Sequence, residues 1–421
     1  MCLVQIVLTG YWLNPCVSSV CQGKASMPLN LTEPWSKKHK RVTGSDLGAG
    51  KALAHNFSNS FAQPLSHAEL LRLTLARGDQ DLVDQYNNHT LEYTPNGGSL
   101  DLREQISKLY GPNIGPANIL VFTGAQPALQ TAALALLDQS SHAIVFTPGY
   151  QSVQECPLHA GSQLTRLELT ASNGWQIDLQ AVEKAIQANT RYIVVNQPHN
   201  PTGSLMAPET QRRLTELADK HGIYVMSDEV YRLLEHDPSD RLPAMADLYH
   251  RGISAVTLSK PWGGCGITIG WLAFQEASLR QRLVDVQYFG TACPSRASEI
   301  QAIMTLRASD TILERNLQII KNNMELLREF MSTNSDLFEW IEPKAGAVAF
   351  VRFKGPLSTT ELGEEMAKAG ISIKPAYCFT SGPVTYNNDL FRIGFGESAV
   401  PAALEALKQF VERQRQAWVG L

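Results

Sequence analysis

Between residues 119 and 274 the chain alternates short apolar runs with segments of helical period. Ile119 to Phe122, Ala143 to Phe146, Tyr192 to Val195, Ile223 to Met226, Ser254 to Leu258 and Gly270 to Phe274 read as strands. Their near-continuous apolar character suits strands covered on both faces. Pro127 to Leu137, rich in alanine and leucine, and the amphipathic stretch Glu209 to Lys220 read as helices between them. Strand and helix in alternation predict an α/β fold, with a mostly parallel central sheet and helices on both faces. Upstream, helical spacing runs from His67 through Leu73 and Leu75. Ser99 is placed to N-cap another helix after the turn Asn96-Gly97-Gly98. Near residue 300 the texture changes. A long helix over about Thr311 to Met331 is followed by strands at Gly346 to Phe353, Ile371 to Lys374 and Phe391 to Ile393, then a helix over Pro401 to Gln414. The expected division is a leader and arm over residues 1–60, a large domain over 61–300 and a smaller α+β C-terminal domain over 301–421.

Composition narrows the partners. The 421 residues are 44% apolar and 18% charged, with a formal charge of −4, which suits a globular chain with a large core. No basic run points to nucleic acid. Seven cysteines are scattered with no zinc-like spacing, which fits a reducing compartment and a cytoplasmic protein. Met1 to Cys21 carries no charge. It lacks the positive start of a secretory signal, and Asn14, Pro15, Ser18 and Ser19 interrupt it as a membrane span. A disordered leader, or a true start at Met27, is the plainer reading, with a targeting role as the alternative. No other stretch is apolar enough to cross a bilayer.

Candidate chemistry collects at the carboxyl ends of the expected strands, where ligands sit in parallel α/β sheets. Thr123-Gly124-Ala125-Gln126 follows a strand and opens a helix, so it is either an ordinary turn or a phosphate site built on helix-start N–H groups. Tyr150, after Pro148-Gly149, is either a core wall or a ring-stacking aromatic. Asn200-Pro201-Thr202-Gly203 is a turn whose amide can reach a phenolic oxygen or a carboxylate. Asp228 ends an apolar strand. It is a helix cap or the partner of a buried cation such as a pyridinium N–H, since an unpaired buried charge is costly. Tyr231, three residues on, can share the phenolic oxygen with Asn200. Arg392, inside an apolar strand, makes a structural ion pair or grips a carboxylate at two points. Lys260 stands between Thr257, Ser259 and the run Gly263-Gly264-Cys265-Gly266. A single lysine after a strand is most often a surface lysine. Flanked in this way it can hold pyridoxal phosphate as an imine, with Thr257 and Ser259 donating to the phosphate. Arriving together in one order, these residues describe one site.

From about Phe57 to the C-terminus, the ordered set resembles the fold-type-I pyridoxal-phosphate enzymes, in particular the class I/II aminotransferases. The resemblance implies a phosphate turn at Thr123-Gly124-Ala125, a stacking Tyr150, a phenolate contact at Asn200, a pyridinium partner in Asp228 with Tyr231, a Schiff base on Lys260 and a substrate-carboxylate grip at Arg392. It implies transfer of the α-amino group of a free amino acid to a 2-oxo acid. It also implies a homodimer in which Tyr93 reaches the neighbour's phosphate. Two positions depart from the family. Where Gly-x-Arg-x-Gly is usual, this chain has Gly266-Ile267-Thr268-Ile269-Gly270, so Thr268 offers the phosphate a hydroxyl without a charge. The usual Gly-containing N-terminal loop is replaced by Asn56-Phe57-Ser58-Asn59-Ser60-Phe61. These departures and Pro198-His199-Asn200 are similar to a capreomycidine synthase-like subgroup. That likeness implies elimination, cyclisation or oxidation of an arginine-derived amino acid as the alternative chemistry.

Overall fold

The computed structural model describes residues 53–380 and 389–419. The leader and most of the arm lie outside that range. Seven strands form the central sheet: β1 (Ile119–Phe122), β2 (His142–Thr147), β3 (Gln163–Glu168), β4 (Thr190–Asn196), β5 (Tyr224–Asp228), β6 (Gly252–Thr257) and β7 (Gly270–Phe274). Their spatial order is β1-β7-β6-β5-β4-β2-β3. β7 runs antiparallel to both of its neighbours, and every other pairing is parallel. The expected α/β fold is present.

Alternation within the strands explains the two covering layers. On β4, Tyr192 and Val194 pack with Leu129, Ala132 and Ala133 of the helix Ala125–Leu136. The intervening Ile193 and Val195 pack with Leu214 and Ala218 of the helix Pro208–Lys220. Because successive side chains face opposite ways, a strand with apolar residues at both parities must be covered twice. The strand β3 went unread in the sequence. It lies at the sheet's edge with no fully buried residue, so it lacks the apolar run that marks the others. Ser99 occupies the expected N-cap, but its hydroxyl makes no capping bond. The backbone N–H of Ser99 instead donates to Glu299 at 2.9 Å.

A second, antiparallel sheet holds β8 (Phe338–Trp340), β9 (Val348–Phe353), β10 (Lys374–Pro375) and β11 (Leu390–Gly394), in the order β10-β11-β9-β8. The helices Ser309–Thr333 and Val400–Val419 cover it, through Ile320, Leu327, Phe330, Leu404, Leu407 and Phe410. Residues 55–63 join this layer. His55 and Asn56 pair in parallel with Ile371 and Ser372, and Phe57 is fully buried among the second sheet's apolar side chains. Past Phe57 the chain crosses toward the central sheet. There Ala62 N–H donates to the Lys260 carbonyl at 3.1 Å. Among the described residues no helix is long and apolar enough to cross a membrane.

Candidate active site

The carboxyl edge of the central sheet sets the spacing of the site. Asn196 and Asp228 are register partners at the ends of β4 and β5. At the other side, Gly270 opens β7 opposite both Phe122, which ends β1, and Thr257, which ends β6. One antiparallel strand thus starts where its neighbours stop, so the turn after β1 and the loop from β6 to β7 meet at that edge.

Gly124 caps the helix Ala125–Leu136 with φ 102°, a left-handed conformation that a side chain resists. Gly270 lies so close that a Cβ there would meet the Gly124 carbonyl carbon at 2.5 Å and the Ala125 nitrogen at 2.7 Å. Only two glycines allow the helix start and the β7 loop to close on each other. Near this turn, the Thr257 and Ser259 hydroxyls lie 2.9 Å apart, and Thr257 also donates to the Ile269 carbonyl. Helix-start N–H groups beside paired hydroxyls suit a phosphate. Thr268 is exposed. Its hydroxyl donates to the Gly266 carbonyl and its φ is 58°, unusual for a β-branched residue.

Asp228 is 1% exposed, and its side chain accepts from the Val230 N–H at 3.3 Å. Burial raises its pKa to about 7. No ion pair reaches it among the described residues. A buried carboxyl in that state fits a ring N–H cation, whose arrival would restore its charge. Asn196, which sequence reasoning passed over, braces the same edge. Its amide nitrogen donates to the Asp228 carbonyl at 2.8 Å, and its oxygen accepts from the Asn200 N–H at 2.7 Å. A buried amide ending an apolar strand is the same signal that flagged Asp228.

Lys260 follows β6 by three residues, and its Nζ donates to Ser60 Oγ at 3.0 Å. Burial, and then the nearby Arg392 cation, lower its pKa from the ordinary 10.5 to about 8. The Tyr231 hydroxyl donates to the Ser60 carbonyl at 2.9 Å. Tyr150 caps the helix Gln151–His159, and its hydroxyl accepts from Gln126 at 2.5 Å. Burial raises the Tyr150 pKa, Asp228 adds to that rise and Arg392 opposes it.

Arg392 is 1% exposed on β11. Its Nη1 donates to Asn200 Oδ1 at 3.1 Å and its Nη2 to the Ser58 carbonyl at 2.6 Å. Its Nε is buried without a partner. The guanidinium carbon lies 5.1 Å from the centre of the Phe379 ring. Among the described residues the alternative, a structural ion pair, is not made, which leaves a desolvated cation with an open Nε donor.

The structure therefore brings Gly124, Ala125, Gln126, Tyr150, Asn200, Asp228, Tyr231, Thr257, Ser259 and Lys260 to the carboxyl edge of the central sheet, and Arg392 reaches it from the second sheet through Asn200. Tyr93 stands apart, at 91% exposure. Ser58 and Ser60 had been read only as a departure in a loop. They act through two carbonyls and a hydroxyl at the centre of the site, and no motif announces a backbone carbonyl.

Comparison with known proteins decides the family. The model of the family "Aminotransferase class I and II" matches residues 65–407. The chain belongs to that family. It is 28% identical over 375 residues to capreomycidine synthase of Streptomyces vinaceus, covering 89% of this chain and 90% of that one. It is 26% identical over 313 residues to a probable aspartate aminotransferase of Methanocaldococcus jannaschii, covering 72% and 81%. A solved pyridoxal-phosphate-dependent aminotransferase from Streptococcus suis superposes with a TM-score of 0.81 at 25% identity, covering 91% of this chain and 99% of that one. The chain is accordingly an enzyme of the pyridoxal-phosphate-dependent aminotransferase class, and pyridoxal phosphate is its cofactor. The buried Asp228 and the cradle between Gly124 and Gly270 fit that group.

Proposed function

We propose that this enzyme transfers the α-amino group of a free amino acid to a 2-oxo acid, in the cytoplasm, as a homodimer. The observation that carries the reading is the buried guanidinium of Arg392, with an open Nε donor and no ion pair among the described residues, acting on the lowered amine of Lys260. A free α-amino acid brings a carboxylate to the first and a Cα–H to the second. Arg392 and Asn200 hold the substrate carboxylate, and the planar guanidinium fixes its orientation. Bound pyridoxal phosphate supplies an electron sink for the pair left at Cα when its proton departs. Lys260 is its point of attachment. With a pKa near 8, Lys260 has an appreciable neutral fraction at neutral pH and takes the Cα proton as a base. With pyridoxal phosphate bound, Asp228 would hold the ring nitrogen's proton, Tyr231 and Asn200 would serve the phenolic oxygen, and Tyr150 would support the ring. The N–H groups of Ala125 and Gln126, with Thr257, Ser259 and Thr268, would hold the phosphate. Tyr93, exposed on one protomer, serves the neighbour's phosphate.

Similarity to capreomycidine synthase over 89% of the chain supports a second reading, elimination or cyclisation of an amino acid. A single turnover with a panel of amino acids, arginine included, and no added 2-oxo acid separates the two. Transamination yields pyridoxamine phosphate and a 2-oxo acid in equal amounts. A changed amino acid with no pyridoxamine phosphate overturns it.

A further inference from the structure

His199 stands directly before Asn200 and takes no part in the mechanism above. It is 4% exposed, and both of its ring nitrogens are bonded. Nε2 lies 3.1 Å from the Pro148 carbonyl oxygen. A carbonyl only accepts, so Nε2 carries a proton. Burial lowers the His199 pKa from 6.5 to about 4, so the ring is neutral near neutral pH and Nδ1 is an acceptor. The Thr202 hydroxyl, 2.7 Å away, therefore donates to Nδ1. Thr202 has one proton to give, so it accepts from the Ser204 hydroxyl at 2.8 Å. The Pro148 carbonyl thus fixes the direction of every bond in the run Ser204, Thr202, His199, Pro148.

The ring joins two turns that come from different strands. Asn200 follows β4, and Tyr150 follows β2. The Asn200 turn begins and ends on the His199 backbone. The His199 N–H donates to the Ser204 carbonyl at 3.1 Å, and the His199 carbonyl accepts from the Gly203 N–H at 2.7 Å. Residues 199–204 are thereby closed on themselves, and the ring ties them to Pro148, two residues before Tyr150. That tie completes a circuit. The Gly149 N–H donates to the Phe379 carbonyl at 2.8 Å, and the Phe379 ring lies against the Arg392 guanidinium. Arg392 in turn donates to Asn200 Oδ1. Burying a histidine costs desolvation, which its two bonds offset. A phenyl ring would fill the space without that cost, but it would fix neither turn to the other.

We propose that His199 is a positioning residue whose ring sets the spacing between the Tyr150 turn and the Asn200–Arg392 pair, and so governs how tightly the substrate carboxylate is held. This rests on the reading of Arg392 and Asn200 as the carboxylate grip. A guanidinium and an amide that share one carboxylate must keep a fixed relation, because two-point bonds are sensitive to geometry. His199 supplies that relation from the side of the turn, without touching the substrate.

The test uses the holoenzyme, with propionate as an unreactive carboxylate and an amino acid that the enzyme turns over. Propionate binding is read from the perturbed absorbance of the bound cofactor. His199→Phe keeps a ring and removes both bonds. It is expected to weaken propionate binding and raise KM by about tenfold, with kcat and cofactor affinity changed less than about threefold. His199→Gln keeps a donor for the Pro148 carbonyl and is expected to recover most of the loss. Thr202→Val leaves the ring on Pro148 and removes only the donor behind it. The same loss is expected there at about threefold, and this variant carries the test if His199→Phe does not fold. Asn200→Ala supplies a readout that a merely structural role would not move. In that background either substitution is expected to cost less than about twofold more, since the residue it acts through is gone. Additive losses overturn the proposal. So does unchanged propionate binding in His199→Phe or, where that variant does not fold, in Thr202→Val. A fall in cofactor affinity parallel to the loss of propionate also overturns it, because His199 then supports the fold of the whole site. A wild type whose cofactor absorbance does not respond to propionate overturns the carboxylate-grip reading, and the proposal with it, before any variant is made.

Discussion

Asp228 and Arg392 are both almost fully buried ionisable groups, yet the chain holds them in different ways. The Asp228 carboxylate accepts from a backbone N–H two residues away, and its strand is braced by Asn196 of the adjacent strand. Arg392 is held by Asn200, 192 residues away, and by the carbonyl of Ser58, 334 residues away. The proposed cofactor end of the site is thus a property of neighbouring strand ends. The substrate end exists only when the arm, the Asn200 turn and the second sheet have come together. The first end is expected to survive changes that disturb the second. That separation is testable, and the tests fall in order of expected effect.

The largest effect belongs to the cofactor end. In the proposed mechanism Lys260→Ala removes both the attachment point and the base, and turnover is expected to drop by at least about 10⁴-fold. Steady-state rates and the visible absorbance of the purified variant report the two losses together. Turnover near the wild-type rate would remove Lys260 from the mechanism.

Arg392→Lys tests the substrate end. It keeps a positive charge and loses the two-point geometry, and Lys cannot reach Asn200 and a carboxylate in one plane. Losing about 2–3 kcal/mol of charge-assisted hydrogen bonding predicts a kcat/KM lower by about 100-fold, mostly through KM. Cofactor affinity, measured by equilibrium titration of the apoenzyme, is expected to change less than threefold. A parallel fall in cofactor affinity would show that the two ends are one unit.

Gly394→Ala attacks the substrate end from outside the chemistry. A Cβ on Gly394 would overlap the carbonyl oxygen of Asn59, and the Gly394 N–H already donates to the Phe57 carbonyl at 2.7 Å. The arm must shift to accommodate the methyl group, carrying the Ser58 carbonyl away from Arg392. A cost of about 1–3 kcal/mol in stability is expected from overpacking, with kcat/KM lower by about tenfold. Thermal unfolding of the apoenzyme and substrate kinetics measure these separately. Unchanged kinetics would mean that the arm is not needed to hold Arg392.

The same contrast explains what could be read from the chain alone. Asp228, Lys260 and Gly124 sit at the ends of apolar runs, where strand period and turn chemistry fix both position and direction. Those residues and the α/β fold were legible. Ser58 and Ser60 were not, because what they contribute is mostly carbonyl oxygens, and every residue has one. Lys374 was read only as the end of a strand. The register that sets it opposite Arg392 was not legible, because register between strands separated by a long connection is not encoded locally. Thr268 shows the converse. Its place in a glycine-rich turn was evident, but its exposure and left-handed backbone were not.

Ser60→Ala is the mildest change and the sharpest test of how the two ends meet, since Ser60 touches Lys260 with its side chain and Tyr231 with its carbonyl. The substitution removes the hydroxyl and leaves the carbonyl. Ser60 is a positioning residue, so the loss is one hydrogen bond to the amine, about 1 kcal/mol, or roughly fivefold in kcat. The kinetic isotope effect with an α-deuterated substrate is expected to rise, because proton transfer becomes more rate-limiting. The pH profile supplies a second readout. A base must be neutral, so the rate rises with pH through the pKa of Lys260, which burial and Arg392 lower from 10.5 to about 8. An oxygen that accepts from the amine favours its charged form, so losing the Ser60 hydroxyl moves that limb to lower pH. Ser60→Thr keeps an acceptor and is expected to recover part of the rate. If Ser60→Ala instead lowers cofactor affinity and melting temperature along with the rate, Ser60 supports the fold of the arm and does not position Lys260.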